Sequence, residues 1–198
     1  MQWSIKFYVG AYALMLAVIF ILPFYSSENY SILEHTTSEL GGQGMPHAWV
    51  MNVVFVLLGA SSILGSWAYL KSYWIPKLLI LVFGLALTGT AFYSHAPTDP
   101  AMPFSAWEDQ AHSHLAKVTG FAFTCFAMTM AFILKQRQQA LLAALVAVWD
   151  TVLSATMFEF PMVTGLFQRL IFMVSFGWLG YILLSETALK DYRETSGN

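Results

Sequence analysis

Six long runs of apolar residues constrain this chain more than any other feature of its sequence. Each run is close to the length of about 20 apolar residues that an α-helix needs to cross the hydrocarbon core of a bilayer. The runs cover residues 7–25, 48–70, 74–93, 115–134, 140–158 and 166–184. Because backbone amides find no water in lipid, each run is predicted to be a helix. The expected fold class is an all-α integral membrane protein, a single domain over residues 1–198 forming a six-transmembrane-helix bundle.

The composition argues against a soluble protein. Charged residues make up 10% of the chain, whereas a soluble domain carries about 25%. No basic patch or base-stacking motif is present, so no nucleic-acid partner is expected. The single cysteine, Cys125, excludes an intrachain disulfide and is typical of a small buried residue. The first apolar run is long for a signal peptide and lacks a clear cleavage site, so we expect it to be retained as a span.

The positions of Lys and Arg predict the orientation in the membrane. If the N-terminus is cytoplasmic, the inner side holds Lys6, Lys71, Lys77, Lys135, Arg137, Lys190 and Arg193. The outer loops then contain no Lys or Arg, which is the positive-inside pattern. Both termini are therefore predicted to be cytoplasmic. All five histidines fall on the outer side, so we expect a polar pocket that opens outward.

The first outer loop, "ENYSILEHTTSELGGQGMPHAW", carries two capping-box patterns. Ser31-x-x-Glu34 and Thr36-x-x-Glu39 predict a short interfacial helix from about Ile32 to Leu40. On that helix His35 and Glu39 would share a face with Ser38. Two interpretations stay open, an ordinary surface helix and a lid that contacts a ligand over the mouth of the bundle.

The second outer loop ends in a third capping box. Three prolines forbid regular helix through "SHAPTDPAMPF" and rigidify it. Ser105-x-x-Glu108 then predicts that the fourth helix begins near Ala106. The helix dipole favours the acids of this first turn, which explains Glu108 without a function.

The first turns of the fourth helix hold two histidines that cannot share one face. Asp109 and His112 are three residues apart and lie on one face, whereas His114 and Lys117 lie on another. Histidines two positions apart on a helix point in roughly opposite directions. One histidine is therefore predicted to face the bundle, and the other to face the interface or the first loop.

Charged residues inside the predicted spans are rare and therefore informative. Lys117, Asp150 and Arg169 lie at similar depths in three helices, with Gln168 nearby. Such residues face the interior of a bundle and pair with one another. We predict a buried Lys117–Asp150–Arg169 network, either as a structural ion network or as a site whose excess positive charge holds an anion. The amide of Asn52 must also bond to another helix.

Three sequence blocks resemble a known family. "HTTSELGGQGMPHAWVMNVVF", "SHAPTDP" followed by "HSHLAK", and "GLFQRLIFMVSFGWLGYIL" are similar to the signature blocks of the bacterial and archaeal DUF998 membrane proteins. More distantly the chain looks like the Frag1/DRAM-type six-helix membrane proteins. The resemblance implies a bacterial or archaeal cytoplasmic (inner) membrane location and no settled activity. It points to Ser38, Glu39, Leu40, Gly41, Asn52, Pro97, Asp99, Gln168 and Arg169, and to His112 or His114.

The first functional hypothesis is a membrane-embedded, hydrolase-like enzyme acting on lipid or lipid-linked headgroups from the outer face. Its candidate catalytic residues are His112, His114, Asp99, Asp109, Ser38 and Glu39. A divalent metal such as zinc, if one is used, would be held by three or more of the outer histidines and acids, with His47, His95, His112 and His114 as the candidate metal ligands. A His–carboxylate pair could instead act as a general base without metal.

An anionic headgroup is the expected ligand of the remaining polar residues. The candidate ligand-binding residues are Arg169, Gln168, Lys117, Asp150, Asn52 and His35. Two other classes stay open: a non-catalytic binder or transporter of an anionic lipid or small solute, and a structural membrane subunit. The inner halves of the spans hold almost no polar residues besides Ser and Thr, which argues against easy transit. Membrane lipids are the expected partners, and neither the substrate nor the oligomeric state follows from the sequence.

Overall fold

The chain folds into helices joined by two long loops and otherwise by short connections. The computed structural model describes residues 2–70 and 73–196, with only the helical backbone described for 186–196. Five long apolar helices and two shorter ones follow in chain order. They are α1 (Gln2–Ile21), α2 (Thr37–Leu40), α3 (Ala48–Tyr69), α4 (Trp74–Thr90), α5 (Ala106–Ile133), α6 (Arg137–Glu159) and α7 (Thr164–Ser196). Two 3₁₀ turns, Leu22–Tyr25 and Pro161–Val163, extend α1 and precede α7.

Five of these helices are long and apolar enough to cross a membrane. They are α1 with its 3₁₀ extension, α3, α5, α6 and the Pro161–Ser185 part of α7. The sixth apolar helix, α4, has only 17 residues. It ends at Thr90, three residues before the end of the predicted run at residue 93. Every predicted run therefore contains a helix, and five of the six have the full length and composition of a span.

The short helix of the first loop is smaller than predicted. The Thr36–Glu39 box forms, since the Thr36 hydroxyl accepts from the Glu39 amide and the Glu39 carboxylate accepts from the Thr36 amide. The predicted start at Ile32 is wrong. There the Ser31 amide donates to Nδ1 of the His35 ring at 2.9 Å, and residues 32–35 form a turn instead of helix.

The helix α5 begins at Ala106, as the sequence predicts. The Ser105 hydroxyl accepts from the Glu108 amide at 3.4 Å, and Glu108 and Asp109 lie in the first turn. The second hydrogen bond of the predicted capping box, from the Ser105 amide to the Glu108 side chain, is absent among these residues. The Ser105 amide donates to the side chain of Gln43 instead, at 2.7 Å. The cap of this helix is thus joined to the first loop.

The helices pack in chain order into a closed ring. Each of α1, α3, α4, α5, α6 and α7 contacts the next, and α7 returns to contact α1. Small residues let α3 and α4 approach closely, since a Cβ placed on Gly84 would lie 2.6 Å from the Gly59 carbonyl oxygen. Lys71, Lys190 and Arg193, which contribute to the predicted orientation, lie outside the residues whose side chains are described.

Aromatic side chains fill the centre of the ring. The rings of Phe83, Phe123 and Phe176 lie within 6.4 Å of one another. Phe126, Phe172 and Trp178 continue this cluster through further ring contacts. The described centre of the bundle is thus built largely from aromatic rings.

Candidate functional site

Two loops cover the same end of the bundle and bond to each other. We call residues 26–47 the first cap loop and residues 91–105 the second cap loop. Gln43 joins them: its amide donates to the His95 carbonyl at 2.8 Å, and its Nε2 donates to the Ser94 and Ser105 carbonyls at 2.9 and 3.1 Å. Its Oε1 accepts from the Ser105 amide. One glutamine therefore satisfies four backbone groups of the second cap loop.

Glycines allow the two loops to meet at this point. A Cβ on Gly42 would lie 3.1 Å from the Ala96 carbonyl oxygen and 3.3 Å from that of His95. A Cβ on Gly41 would collide with the side chain of Asn52. The Asn52 amide nitrogen lies 3.5 Å from the Gly41 carbonyl oxygen, so this intramembrane amide contacts the first cap loop rather than another helix.

His112 lies beneath the second cap loop and is 2% exposed. Its Nδ1 lies 3.1 Å from the Thr90 carbonyl oxygen and 2.8 Å from that of Tyr93. Carbonyl oxygens only accept, so Nδ1 carries the proton and donates it to the end of α4. In this way His112 caps the C-terminus of α4, whose last carbonyls have no partner within the helix. The other ring nitrogen, Nε2, is buried with no hydrogen-bond partner among the described residues.

His95 and Asp109 complete a cluster around His112. The His95 ring meets the His112 ring edge to face, with centroids 5.4 Å apart. The Asp109 Oδ1 accepts from the Ala96 amide at 2.8 Å and lies 3.7 Å from Nδ1 of His95. We call these three residues the histidine cluster. It combines a carboxylate, a second imidazole and an imidazole nitrogen whose lone pair is unused.

The other two candidate metal-ligating histidines, His114 and His47, lie away from this cluster. His114 is exposed on α5, as is Lys117 on the same face, so the two histidines do point apart as the spacing predicts. His47 precedes α3 in a left-handed conformation with φ of 57° and is exposed. The four candidate metal ligands are therefore not brought together. Within the described ranges, no three His, Cys, Asp or Glu side chains are grouped so that they could hold a metal ion.

Arg169 is 1% exposed and binds the first cap loop. Its Nη1 donates to the carbonyls of Ile32 and His35 at 2.8 and 2.9 Å. Its Nη2 donates to the Tyr30 hydroxyl at 2.7 Å. Its Nε donates to the Ile19 carbonyl at 3.2 Å, in the last turn of α1. The guanidinium therefore ties α7 to α1 and to the first cap loop.

Gln168, the residue before Arg169, also binds the first cap loop. Its Oε1 accepts from both the amide and the hydroxyl of Thr37, at 2.6 and 2.7 Å. Thr37 is the first residue of α2, where an amide has no partner within the helix. The "QRL" block that opens α7 thus binds the "HTTSEL" block of the first cap loop.

Comparison with known proteins places the chain in a family. The family model described as "Protein of unknown function (DUF998)" matches residues 9–185 of the chain. The chain belongs to the DUF998 family. No curated protein and no solved structure matches it. The match spans all six apolar helices and both cap loops of this DUF998 protein.

The predicted Lys117–Asp150–Arg169 network does not form. Asp150, 4% exposed, accepts a hydrogen bond at 2.6 Å from the Ser175 hydroxyl of α7. Lys117 is exposed on α5. Among the described residues the only ion pair is that of His95 with Asp109. The prediction was wrong because backbone carbonyls and a phenol, rather than a carboxylate, satisfy Arg169.

The remaining candidates of the DUF998 chain have structural partners. Glu39 is used in the α2 capping box, and Ser38 is buried in the same helix. The ring of His35 accepts from the Ser31 amide. Asp99 accepts from the Ala101 amide at 2.9 Å, which closes a turn of the second cap loop. None of these four residues belongs to the histidine cluster as defined above.

Sequence reasoning missed Gln43 and Tyr30. The hydroxyl of Tyr30 donates to the Thr36 carbonyl at 2.8 Å while it accepts from Arg169. Burial raises the pKa of Tyr30 to about 12, although the nearby Arg169 opposes this shift. The one signal for Gln43 is its place in "GGQG", where a polar side chain stands between glycines that permit close backbone approach.

Proposed function

We propose that the DUF998 chain is a single six-span domain of a bacterial or archaeal cytoplasmic membrane, with both termini in the cytoplasm. The 17 residues of α4 reach the lower limit for a spanning helix, about 17 residues. The described basic residues Lys6, Lys77, Lys135 and Arg137 fall at helix ends opposite the cap loops. Reporters fused after residue 198 test this topology: a fluorescent protein should fold and fluoresce, and a periplasmic phosphatase should stay inactive. The reverse result would contradict the orientation.

The length of α5 supports a position of the histidine cluster at headgroup depth. Its 28 residues extend about 42 Å at 1.5 Å per residue, whereas the hydrocarbon core is about 30 Å thick. If Ile133 lies at the inner boundary of the hydrocarbon core, a helix of roughly 20 residues reaches the outer boundary close to His114. His112 and Asp109 then lie just outside the hydrocarbon, beside the lipid headgroups of the outer leaflet.

At this position we propose a hydrolase-like enzyme that acts on the headgroup of a lipid or lipid-linked molecule. The main support for this proposal is the hydrogen bonding of the His112 ring. Its Nδ1–H is fixed by two carbonyls, and its Nε2 has no hydrogen-bond partner among the described residues. A ring fixed in this tautomer presents a lone pair that can take a proton from water. His112 would act as the general base, and the neighbouring Asp109 would favour the imidazolium that results.

We propose general-base catalysis without a metal, since this needs only the His112 side chain of the histidine cluster. It also changes the expected headgroup contact. The donors of Arg169 are occupied by the protein, so Arg169 is no longer the proposed anion ligand. Lys117 does not replace Arg169 at the cluster, because it lies with His114 on the exposed face of α5; its long stem can reach up to a phosphate only at the lipid-facing surface.

The test uses purified protein in nanodiscs made from a total bacterial lipid extract. Mass spectrometry of the aqueous phase and of the lipids follows headgroup release with time. His112→Gln should abolish release, and the matched control His114→Ala, on the exposed face of the same helix, should retain it. Addition of a chelator should leave the rate unchanged. Equal activity of His112→Gln and the native protein would refute the role of His112, and loss on chelation would favour the metal form.

A non-catalytic binder is the second candidate, and the burial of His112 favours it. A site at 2% exposure retains a bound molecule more readily than it turns one over. Native mass spectrometry would then show a bound lipid or polar solute that His112→Gln loses, with no product formed. Transport is less favoured, because the aromatic rings of α4, α5 and α7 pack against one another in the centre of the bundle.

A further inference from the structure

The segment Ser94–Ala96 of the second cap loop covers the histidine cluster. The ring of His95 rests against that of His112, and the Ala96 amide is held by Asp109. His112 is therefore closed off on the side where a ligand from the headgroup region would arrive. A buried nitrogen without a partner and a segment lying on it raise the question of what holds that segment in place.

Gln43 holds the segment from the opposite loop. Its amide and side chain bond to the carbonyls of His95 and Ser94, at 2.8 and 2.9 Å. Two further bonds to Ser105 fix the side chain where α5 begins. Three of the four bonds come from the side chain, and of these only the bond to Ser94 reaches the segment; the bond to His95 comes from the Gln43 main chain. From α5, the Asp109 carboxylate accepts from the Ala96 amide and the Glu108 carboxylate lies 3.4 Å from the Ser94 amide. Removing the Gln43 side chain should therefore loosen the segment at Ser94 and at its anchor on Ser105.

We propose that Gln43 is a latch that keeps the Ser94–Ala96 segment closed over Nε2 of His112, and that a ligand gains access when the latch opens. This inference rests on the proposed function, since it describes regulation of the same site. Gly44, beside the latch, has φ of 69°, a left-handed conformation that other residues resist. When the latch opens, water replaces Gln43 as the hydrogen-bond partner of the backbone groups of the second cap loop. The three residues of the histidine cluster become exposed at the same time.

Carbethoxylation tests the latch without any substrate. Diethyl pyrocarbonate acylates an unprotonated, accessible imidazole nitrogen, and peptide mapping by mass spectrometry reports the labelling rate of each histidine. In the native protein in nanodiscs, His112 should be labelled far more slowly than the exposed His114. In Gln43→Ala the rate at His112 should rise by about tenfold or more, the effect of losing one to two net hydrogen bonds. The rate at His114 should not change.

Two controls keep the test decisive. Gln110→Ala removes an exposed glutamine of α5 and should leave the rate at His112 at its native value. Gln43→Glu keeps the side-chain length and the acceptor for Ser105 but loses the donors to two carbonyls. Its carboxylate would face those two carbonyl oxygens, so the rate at His112 should rise at least as much as in Gln43→Ala, and this variant serves if Gln43→Ala does not fold.

Two results would overturn the latch: native His112 labelled as fast as His114, or Gln43 variants that label at the native rate. Either result leaves the role of His112 in headgroup chemistry open to its own activity test. Conversely, a functioning latch with active His112→Gln protein would refute His112 as the general base and leave the gated site standing.

Discussion

Replacing Arg169 with Leu should release the first cap loop from the bundle. The substitution leaves three carbonyls outside α7 without their charged donor, those of Ile19, Ile32 and His35. Each buried acceptor left unpaired costs about 1–3 kcal/mol, and water can reach part of the loop once it lifts. A total loss of about 3–5 kcal/mol follows, similar to breaking a buried charged contact. For a chain of this size, that loss corresponds to a fall in the unfolding midpoint of roughly 10 °C.

Thermal unfolding and hydrogen exchange in nanodiscs measure the two parts of this prediction. The midpoint should fall, and amides of residues 30–40 should lose protection while those in the centre of α5 keep theirs. Arg169→Lys should show a smaller effect, because an ammonium has three donors at one point and cannot reach acceptors on both sides.

Lys117→Leu is the matched control. Lys117 and Arg169 are the two cations of the predicted network, and sharing Asp150 would make both substitutions destabilising. The structure places Lys117 on the exposed face, so Lys117→Leu should change the midpoint little. A large fall for Lys117→Leu, or unchanged protection of residues 30–40 in Arg169→Leu, would refute the reasoning.

Three further predictions concern the same end of the bundle. Gly165→Ala should destabilise strongly, because its Cβ would collide with the carbonyls of Ile32 and His35; the control Gly120→Ala, where nothing lies within 4 Å, should be neutral or stabilising in a thermal melt. Because burial raises the pKa of Tyr30 from 10.0 to about 12, the stability that its protonated phenol contributes should be complete below about pH 10 and lost as the pH rises through 12; alkaline unfolding of Tyr30→Phe should lack that component, and identical pH profiles would contradict the assignment. Gln168→Ala should cost about 1–2 kcal/mol through the two bonds to Thr37. In a double-mutant cycle with Thr37→Val, which removes only the hydroxyl bond, the effects should not add; additive effects would show that the hydroxyl bond contributes nothing.

The apolar runs were sufficient to locate the helices of this DUF998 chain. A spanning helix must satisfy its own backbone and present apolar side chains, so its position is recorded in consecutive residues. The Thr36–Glu39 box and the Ser105 cap were predictable for the same reason, since both partners lie within one turn. The end of α4 was not, because Thr90 and Tyr93 bond to His112 from another helix.

The partners of the charged residues could not be predicted from their spacing. The sequence shows which side chains carry charge but not which backbone carbonyls a loop will present. Arg169 was therefore paired with Asp150, whereas it binds carbonyls and Asp150 binds Ser175. The i, i+2 spacing of His112 and His114 did predict their separation, because it depends only on helix geometry. The carbonyls at the end of α4, which accept from His112, determine that His112 rather than His114 faces inward.

The short length of α4 has a consequence for the surrounding lipid. Its 17 residues cover about 26 Å, several ångströms less than an average hydrocarbon core, whereas the adjacent α5 is far longer. In the six-span arrangement, this hydrophobic mismatch should thin the outer leaflet beside α4 and dimple the membrane surface there. The thinned region would lie beside the end of α4, which His112 caps, so headgroups of the outer leaflet would meet the bundle at the level of the histidine cluster. A thicker membrane should increase the mismatch at α4 and deepen this thinning, so the lipid around this end of the bundle should depend on bilayer thickness.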